Sequence, residues 1–275
     1  MAADNQLIIK KLQGMDTFYA AFSDATRLPY VACDQETFDD QVYIFAEEKD
    51  ADEWAKAQAE EKIAINTAKV EKGQMLMFYT SLYLIGANRL VFHNGAGSSY
   101  LPLDQVVTIN EKEDEKNGLP QRNTTLQLTM IYFLQELRRY GELPQDEERK
   151  RHIHDLEQEM VANLMRSKYI MAIDISKVEG EFVPGKPGQN IQIPYLKNPA
   201  GEILQPIFSD LWEFQKFSKN YGPKMQLGVT PFKGLLPSLI KDAKGYILNP
   251  AGVNLILLRE KLEVLSRQTD DGAQQ

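Results

Sequence analysis

The chain repeats itself, and this constrains its fold more than any other feature. Leu28-Pro29-Tyr30-Val31 has a counterpart in Ile193-Pro194-Tyr195-Leu196. Val42-Tyr43-Ile44-Phe45 is matched by Leu204-Gln205-Pro206-Ile207-Phe208, which is one residue longer. Trp54 follows Phe45 at the interval at which Phe217 follows Phe208, and Leu84-Ile85 pairs with Leu239-Ile240. Leu90-Val91-Phe92-His93-Asn94-Gly95-Ala96-Gly97 reads against Gly245-Tyr246-Ile247-Leu248-Asn249-Pro250-Ala251-Gly252. The changes in spacing fall in the polar stretch 34–40 and in the Ala-, Glu- and Lys-rich stretch after Trp54. Loops and element ends accept insertions because their backbone is not locked into a core. Two copies of one unit explain the length better than a single large domain.

The expected fold class is α+β: two similar units, each a small mixed β-sheet packed by helices. Unit 1 is placed at residues 1–110 and a polar linker at 111–124. A connecting helix plus unit 2 follow at 125–268, and a flexible tail at 269–275. In each unit an apolar-periodic helix comes first, carried by Leu7, Ile8 and Leu12 or by Ile153, Leu156, Met160 and Leu164. Strands are predicted at 17–22 and 169–175, then 28–32 with 41–45 and 191–196 with 203–208. Ser209-Asp210 reads as a helix N-cap, because a short oxygen side chain satisfies free N–H groups at a helix start, and Asp50 is given the same part. Further strands are predicted at 62–69 and 224–229, then helices at 76–85 and 231–240. Strands at 89–93 and 245–248 and a closing helix at 259–265 complete the reading. Pattern alone does not decide between helix and strand at 75–85. The repeat decides for helix, since Leu235, Leu236, Leu239 and Ile240 have helical spacing. Leu126, Met130, Ile131, Phe133, Leu134 and Leu137 predict the connecting helix.

Hydrophobic residues make up 43% and charged residues 25% of the chain, a balance that supports a packed core and excludes wholesale disorder. The net charge of -8 repels phosphate backbones, so nucleic acid is not an expected partner. The first residues carry Asp4 and no long apolar run, unlike a secretory leader. The longest mostly apolar stretch, 75–87, falls short of the ~20 residues a membrane-spanning helix needs. Cys33 is the single cysteine, which excludes an intrachain disulfide and fits a reducing cytoplasm. The expectation is a cytoplasmic protein with neither a nucleic acid nor a membrane as partner.

The segment IPYLKNPAGEILQPIFSDLWEFQKF, followed by GYILNPAG, resembles the N-terminal domain of the SseB (enhanced serine sensitivity) family. The resemblance runs from about Ile191 to Leu265, and LPYVACDQ, VYIFAEEKDADEW and RLVFHNGAG extend it to the first copy. The first copy departs from the family's pattern in having Asn94-Gly95 in place of Asn-Pro, and Ala46 in place of Thr or Ser. No match to the family's separate C-terminal domain is seen, so the chain resembles a tandem of N-terminal-type units. The family lacks an established enzymatic activity, and the resemblance implies a fold more than a function.

No catalytic or metal motif stands out, so neither catalytic residues nor a metal or other cofactor is expected. Asn94-Gly95-Ala96-Gly97-Ser98-Ser99 lacks the lysine and spacing of a phosphate-binding loop and reads as a turn. His152 and His154, two apart on a helix, face different ways and suit no shared metal. His93 is the one histidine at a core edge, and no serine sits in a nucleophile-elbow motif. Acidic Asp34 and Glu36 beside Cys33 would raise its pKa and keep the thiol unreactive. Trp54, Phe214 and Phe217 read as residues that seal a helix onto a sheet. Trp212 is an additional aromatic on Phe217's helix, largely on another face, and is the first candidate for a partner contact. Tyr195, Tyr246 and Asn249 are candidates for lining a small-ligand site, although Asn249-Pro250-Ala251-Gly252 reads first as a tight turn. The first functional expectation is a non-enzymatic protein-binding adaptor or regulatory module. A small-ligand-binding regulatory module is the alternative, and a hydrolase or transferase with scattered carboxylates comes third.

Overall fold

In Thr17–Ser23 (β1), Phe18 and Ala20 are buried on one face and Ala21 and Ser23 on the other, while Thr17, Tyr19 and Phe22 are half-buried, the pattern of a strand packed on both faces. This strand organises the first unit of a computed structural model, which describes residues 2–95, 97–108, 115–116, 118–139, 146–219 and 224–271. By contacts the chain divides into Met1–Lys112 with Gln127–Met160, and Glu113–Leu126 with Val161–Gln275.

The first unit begins with α1 (Ala2–Gly14), then β1, β2 (Val31–Cys33), β3 (Asp40–Phe45), α2 (Glu48–Glu60), β4 (Ile65–Glu71) and α3 (Lys72–Leu84). It continues with β5 (Arg89–His93), β6 (Ser98–Pro102) and α4 (Leu103–Val106), and takes in most of α5 (Thr124–Arg138) and α6 (Glu147–Arg166). Its sheet runs β4-β1-β3-β5-β6 with β2 added to β3. β3 and β5 are parallel and the other pairs antiparallel. Helix α3 starts earlier than the apolar pattern indicates because Glu71 and Gln74 form a capping box, with the Glu71 N–H donating to Gln74 Oε1 at 3.1 Å. Phe18, Ile44, Leu82, Leu90, Phe92 and Leu101 are fully buried in this unit.

The second unit holds the short β7 (Glu115–Lys116) and β8 (Leu119–Pro120), then β9 (Lys168–Asp174), β10 (Leu196–Lys197), β11 (Ile203–Ile207) and α7 (Leu211–Ser218). β12 (Met225–Pro231), a 3-10 turn (Phe232–Gly234), α8 (Leu235–Ser238), β13 (Gly245–Leu248), β14 (Leu255–Leu258) and α9 (Arg259–Asp271) complete it. Strands β10-β11-β13-β14 form one sheet, and β12 pairs with β9. The Ile170 and Phe208 backbones exchange hydrogen bonds of 2.8 and 3.0 Å, which sets β9 beside the end of β11. The neighbour order is thus β12-β9-β11-β13-β14, with β10 on β11. β11–β13 is parallel, and β9–β12 and β13–β14 are antiparallel. Tyr19 faces Phe45 as Ile170 faces Phe208. The Thr17–Ser23 strand is paired along its whole length with Ile65–Glu71, as Lys168–Asp174 is with Met225–Pro231.

Several sequence expectations change. Arg89 pairs with Pro102 as Gly245 pairs with Leu258, so by register Arg89, not Leu90, takes Gly245's place. His93, not Asn94, then takes that of Asn249. A slip of one residue exchanges the two faces of a strand, and aligning the two Asn-containing turns introduces that slip. Asp50 does not cap α2: the helix begins at Glu48, Glu47 is its N-cap without a side-chain bond, and Asp50 lies in the first turn. The strand expected at 191–196 shrinks to Leu196–Lys197 plus a bridge at Gln192, since Pro194 has no N–H to donate. The helix expected at 231–240 is a 3-10 turn and one helical turn, with Pro237 inside it. Most of the connecting helix, from Gln127 onward, belongs with the first unit, because its side chains bond to β2 and β3. Within the linker expected at 111–124, residues 111–114 and 117 lie outside the described residues, as do 272–275 of the tail, while 115–116 and 119–120 form the short β7–β8 pair. Residues 269–271 continue α9.

Candidate functional site

Tyr132, Gln135, Glu136 and Arg139, at i, i+3, i+4 and i+7 along and just beyond α5, form one polar face. With β2 and α6 they wall a cleft of about 930 Å³ that lies wholly in the first unit. The Gln135 amide brackets one residue of the β2 edge. Its Nε2 donates to the Val31 carbonyl at 2.8 Å, and its Oε1 accepts from the Val31 N–H at 3.3 Å. The Tyr132 hydroxyl donates to Asp40 Oδ1 at 2.6 Å. Burial raises the Asp40 pKa, the Tyr132 hydrogen bond opposes that rise, and the net shift is upward. Burial and the Asp40 carboxylate together push the Tyr132 hydroxyl far above the usual range for a phenol.

Burial also pushes Glu136 up, but Arg139 at 2.7 Å and Arg149 at 3.1 Å outweigh it and hold the carboxyl below its ordinary value. Arg138 donates to the Ala25 carbonyl at 2.9 Å, and Arg139 to the Glu61 carbonyl at 3.1 Å. Cys33 is half-buried at the cleft, its thiol raised first by burial and then by Asp40, Asp34 and Asp39. A thiol held protonated is a weak nucleophile. The carboxyls of Asp40 and Glu136 are each already engaged. The cleft is therefore equipped to hold a ligand by hydrogen bonds and apolar contact. Among the described residues no group of three His, Cys, Asp or Glu side chains could hold a metal ion.

A smaller recess of about 200 Å³ in the same unit is lined by Phe45, Asp50, Trp54, His93 and Ser98. The His93 ring lies nearly parallel to Phe45, with centroids 4.7 Å apart, and Nδ1 is 2.9 Å from Ser98 Oγ. Burial lowers the His93 pKa and the Asp50 charge opposes this, so the imidazole is neutral at pH 7. Trp54 stacks on Tyr43 at 4.6 Å and packs beside Phe45 at 5.6 Å, sealing α2 onto the sheet.

The four residues singled out from the sequence all lie in the second unit. Asn249 is fully buried at φ 52°, a left-handed conformation that Asn tolerates better than most residues. Its Oδ1 accepts from the Ser209 N–H at 2.9 Å and its Nδ2 donates to Ser209 Oγ at 2.9 Å. Ser209 Oγ donates to Asp210 Oδ2 at 2.6 Å, and Asp210 Oδ1 caps α7 by accepting from the Glu213 N–H at 3.0 Å. A Cβ on Gly252 would stand 3.0 Å from Glu213 Cδ, so the buried Glu213 carboxylate would have to shift for any other residue there. Tyr246 is buried on β13, its hydroxyl donating to the Leu235 carbonyl at 2.7 Å. Asn249 and Tyr246 thus present no atom to a ligand at the surface. Tyr195 is half-exposed just before β10. Trp212 is half-buried on α7, with the Lys216 ammonium 5.9 Å from its ring centroid and a buried indole Nε1 that has no hydrogen-bond partner among the described residues. The hydrogen bonds join Asn249 to the start of Trp212's helix, but none connects Tyr195 to these residues. His152 and His154 are both exposed on either side of buried Ile153.

Of the residues that line the cleft, the sequence reading touches Cys33, His152 and the Tyr30-Val31 repeat, while the α5 face carries no motif. The helical spacing of Tyr132, Gln135, Glu136 and Arg139 was a usable indication, since a polar face opposite Met130, Ile131 and Leu134 needs something to meet.

No family profile matches the chain, and no curated protein matches it. Two solved structures are similar at low level. Tic22 from Plasmodium falciparum is 14% identical over 96% of this chain and 98% of that one, with a TM-score of 0.20. Anabaena Tic22, described as a protein of protein transport, is 13% identical over 96% of each chain, also with a TM-score of 0.20. Superposition at that level does not establish a shared fold. Among the described residues no helix is long and apolar enough to cross a membrane.

Proposed function

We propose that the chain is a non-enzymatic protein-binding module, an adaptor or regulator acting in the cytoplasm, built from two SseB-like units. Its first unit holds the partner in the α5–β2 cleft. The observation that carries this reading is the cleft itself. It has the volume of a binding site, Glu136, Arg138 and Arg139 are engaged with one another or with backbone, and a strand edge capped by the Gln135 amide runs along it. Matching neighbour order, strand sense and register in the two units support the duplication. The Asn249–Ser209–Asp210 network gives a physical reason for those motif residues to occur together, which supports the SseB resemblance.

The test is Ala64→Trp. Ala64 is exposed at the cleft, so an indole there fills the space and leaves the core alone. A partner captured by the unaltered protein should lose at least tenfold in affinity for Ala64→Trp. It should be little changed for Tyr195→Ala or Trp212→Ala. Unchanged binding to Ala64→Trp, with loss on Trp212→Ala, would move the site to the second unit.

The cleft volume also suits a small molecule, which keeps the ligand-binding reading as the second choice. A thermal-shift panel of amino acids and nucleotides separates the two. A true ligand at 100 times its Kd stabilises by ~2.7 kcal/mol.

A further inference from the structure

We propose that the occupant of the first unit's cleft is an extended peptide segment bearing a basic side chain, which pairs with the free edge of β2 in place of the Gln135 amide. This rests on the reading of the cleft as the binding site and adds the mode and the chemistry of the partner.

Strand β2 is hydrogen-bonded to β3 on one side only. Its other edge lines the cleft. An unpaired strand edge is a template for another strand, and folded proteins normally cover it. Here the cover is one side chain. Gln135 offers Val31 one donor and one acceptor, the same pair a residue of a neighbouring strand would offer. The 3.3 Å bond of the pair is long, and glutamine has a flexible stem. An incoming strand would replace both hydrogen bonds one for one, and it could continue to Cys33, which faces the same edge two residues on. The Cys33 carbonyl holds a Gln35 amide at 3.4 Å, another side chain that a strand could displace. Main-chain pairing of this kind supplies affinity, and alternate side chains supply selectivity.

The walls state the selectivity. Ile63, Leu128 and Leu156 are apolar. Arg138 is held by the Ala25 carbonyl, and Arg139 is shared between Glu136 and the Glu61 carbonyl, so neither cation is offered outward. Glu159 and Asp24, the latter accepting from Asn66 Nδ2 at 3.0 Å, are exposed acidic groups at the rim. Within a chain of net charge -8, that rim favours a lysine or arginine on the bound segment.

The experiment uses the full chain, immobilised, against phage-displayed random 12-residue peptides. The enriched peptides are then synthesised with and without N-methyl groups on alternate residues. The expected result is enrichment of extended, apolar sequences with at least one Lys or Arg. Their binding should weaken about tenfold on N-methylation in one register, and should tighten about tenfold in Gln135→Ala, in line with one or two hydrogen bonds. Circular dichroism of Gln135→Ala checks its fold, and the N-methyl comparison does not depend on that variant. Peptides that bind regardless of N-methylation would overturn strand pairing while leaving the cleft as the site. So would dimerisation of Gln135→Ala in light scattering, which would make a second copy the occupant. Absence of any enriched peptide, with partner binding still lost in Ala64→Trp, would overturn the inference alone. Partner binding indifferent to Ala64→Trp would instead remove the reading of the cleft.

Discussion

Gly245→Ala is expected to destabilise the second unit by about 3 kcal/mol, a large effect for one methyl group. Gly245 begins β13 and is directly opposite Leu258 of β14. A Cβ there would meet the Leu257 carbonyl oxygen at an impossible approach and stand 2.8 Å from Leu258 Cα. Those atoms are backbone, so no rotamer change relieves the collision, and β14 must move away. Gly228→Ala is the control. It is also a strand glycine, but nothing lies within 4 Å of its Cβ position, so its change should stay within about 0.5 kcal/mol. Each unit contains one of the two tryptophans, Trp54 in the first and Trp212 in the second. In a Trp54→Phe background, urea unfolding followed by Trp212 fluorescence reads the second unit. Equal midpoints for Gly245→Ala and Gly228→Ala would refute the close approach.

Phe208→Ala should lower the same transition by about 4 kcal/mol, or roughly 1.5 M in urea midpoint. Phe208 is fully buried and its backbone joins β11 to β9. Its ring meets Phe214 edge-on at 5.3 Å and Phe217 at 5.2 Å. Truncation removes one of three phenylalanines in a cluster that also holds Ile170 and Ala172, and it leaves a cavity that backbone pairing prevents from collapsing. Phe208→Leu keeps most of the volume and should cost less than half as much. If Phe208→Ala shifts the midpoint by less than roughly 0.5 M, the α7-to-sheet core is not what holds this unit together.

Residues with a local physical role were legible in the sequence. Asp210 stands where a helix needs an N-cap and caps it. Met75, Phe78, Tyr79 and Leu82 form the buried side of α3, but pattern alone does not decide between helix and strand there. The Asn249 turn is legible as a turn, while its hydrogen bonds to Ser209 join segments 40 residues apart and have no trace in local spacing. Tyr246 looks like a site residue in sequence because tyrosine carries a polar tip. Only the fold shows that tip satisfied by Leu235. The cleft was the least legible feature. Gln135 meets Val31 across 104 positions, and Tyr132 meets Asp40 across 92. Helical spacing reveals that Tyr132, Gln135, Glu136 and Arg139 share a face but not which strand that face meets.

Site-specific photo-crosslinking tests the central claim most directly. A benzophenone amino acid replaces Gln35, an exposed residue of the cleft, or Lys49, an exposed residue of α2 that does not line it. Irradiation in extracts of the source cells should join Gln35-substituted protein to a discrete partner, and Ala64→Trp in the same chain should abolish that product. Adducts of equal yield from both positions, or an adduct at Gln35 that persists with Ala64→Trp, would contradict the account.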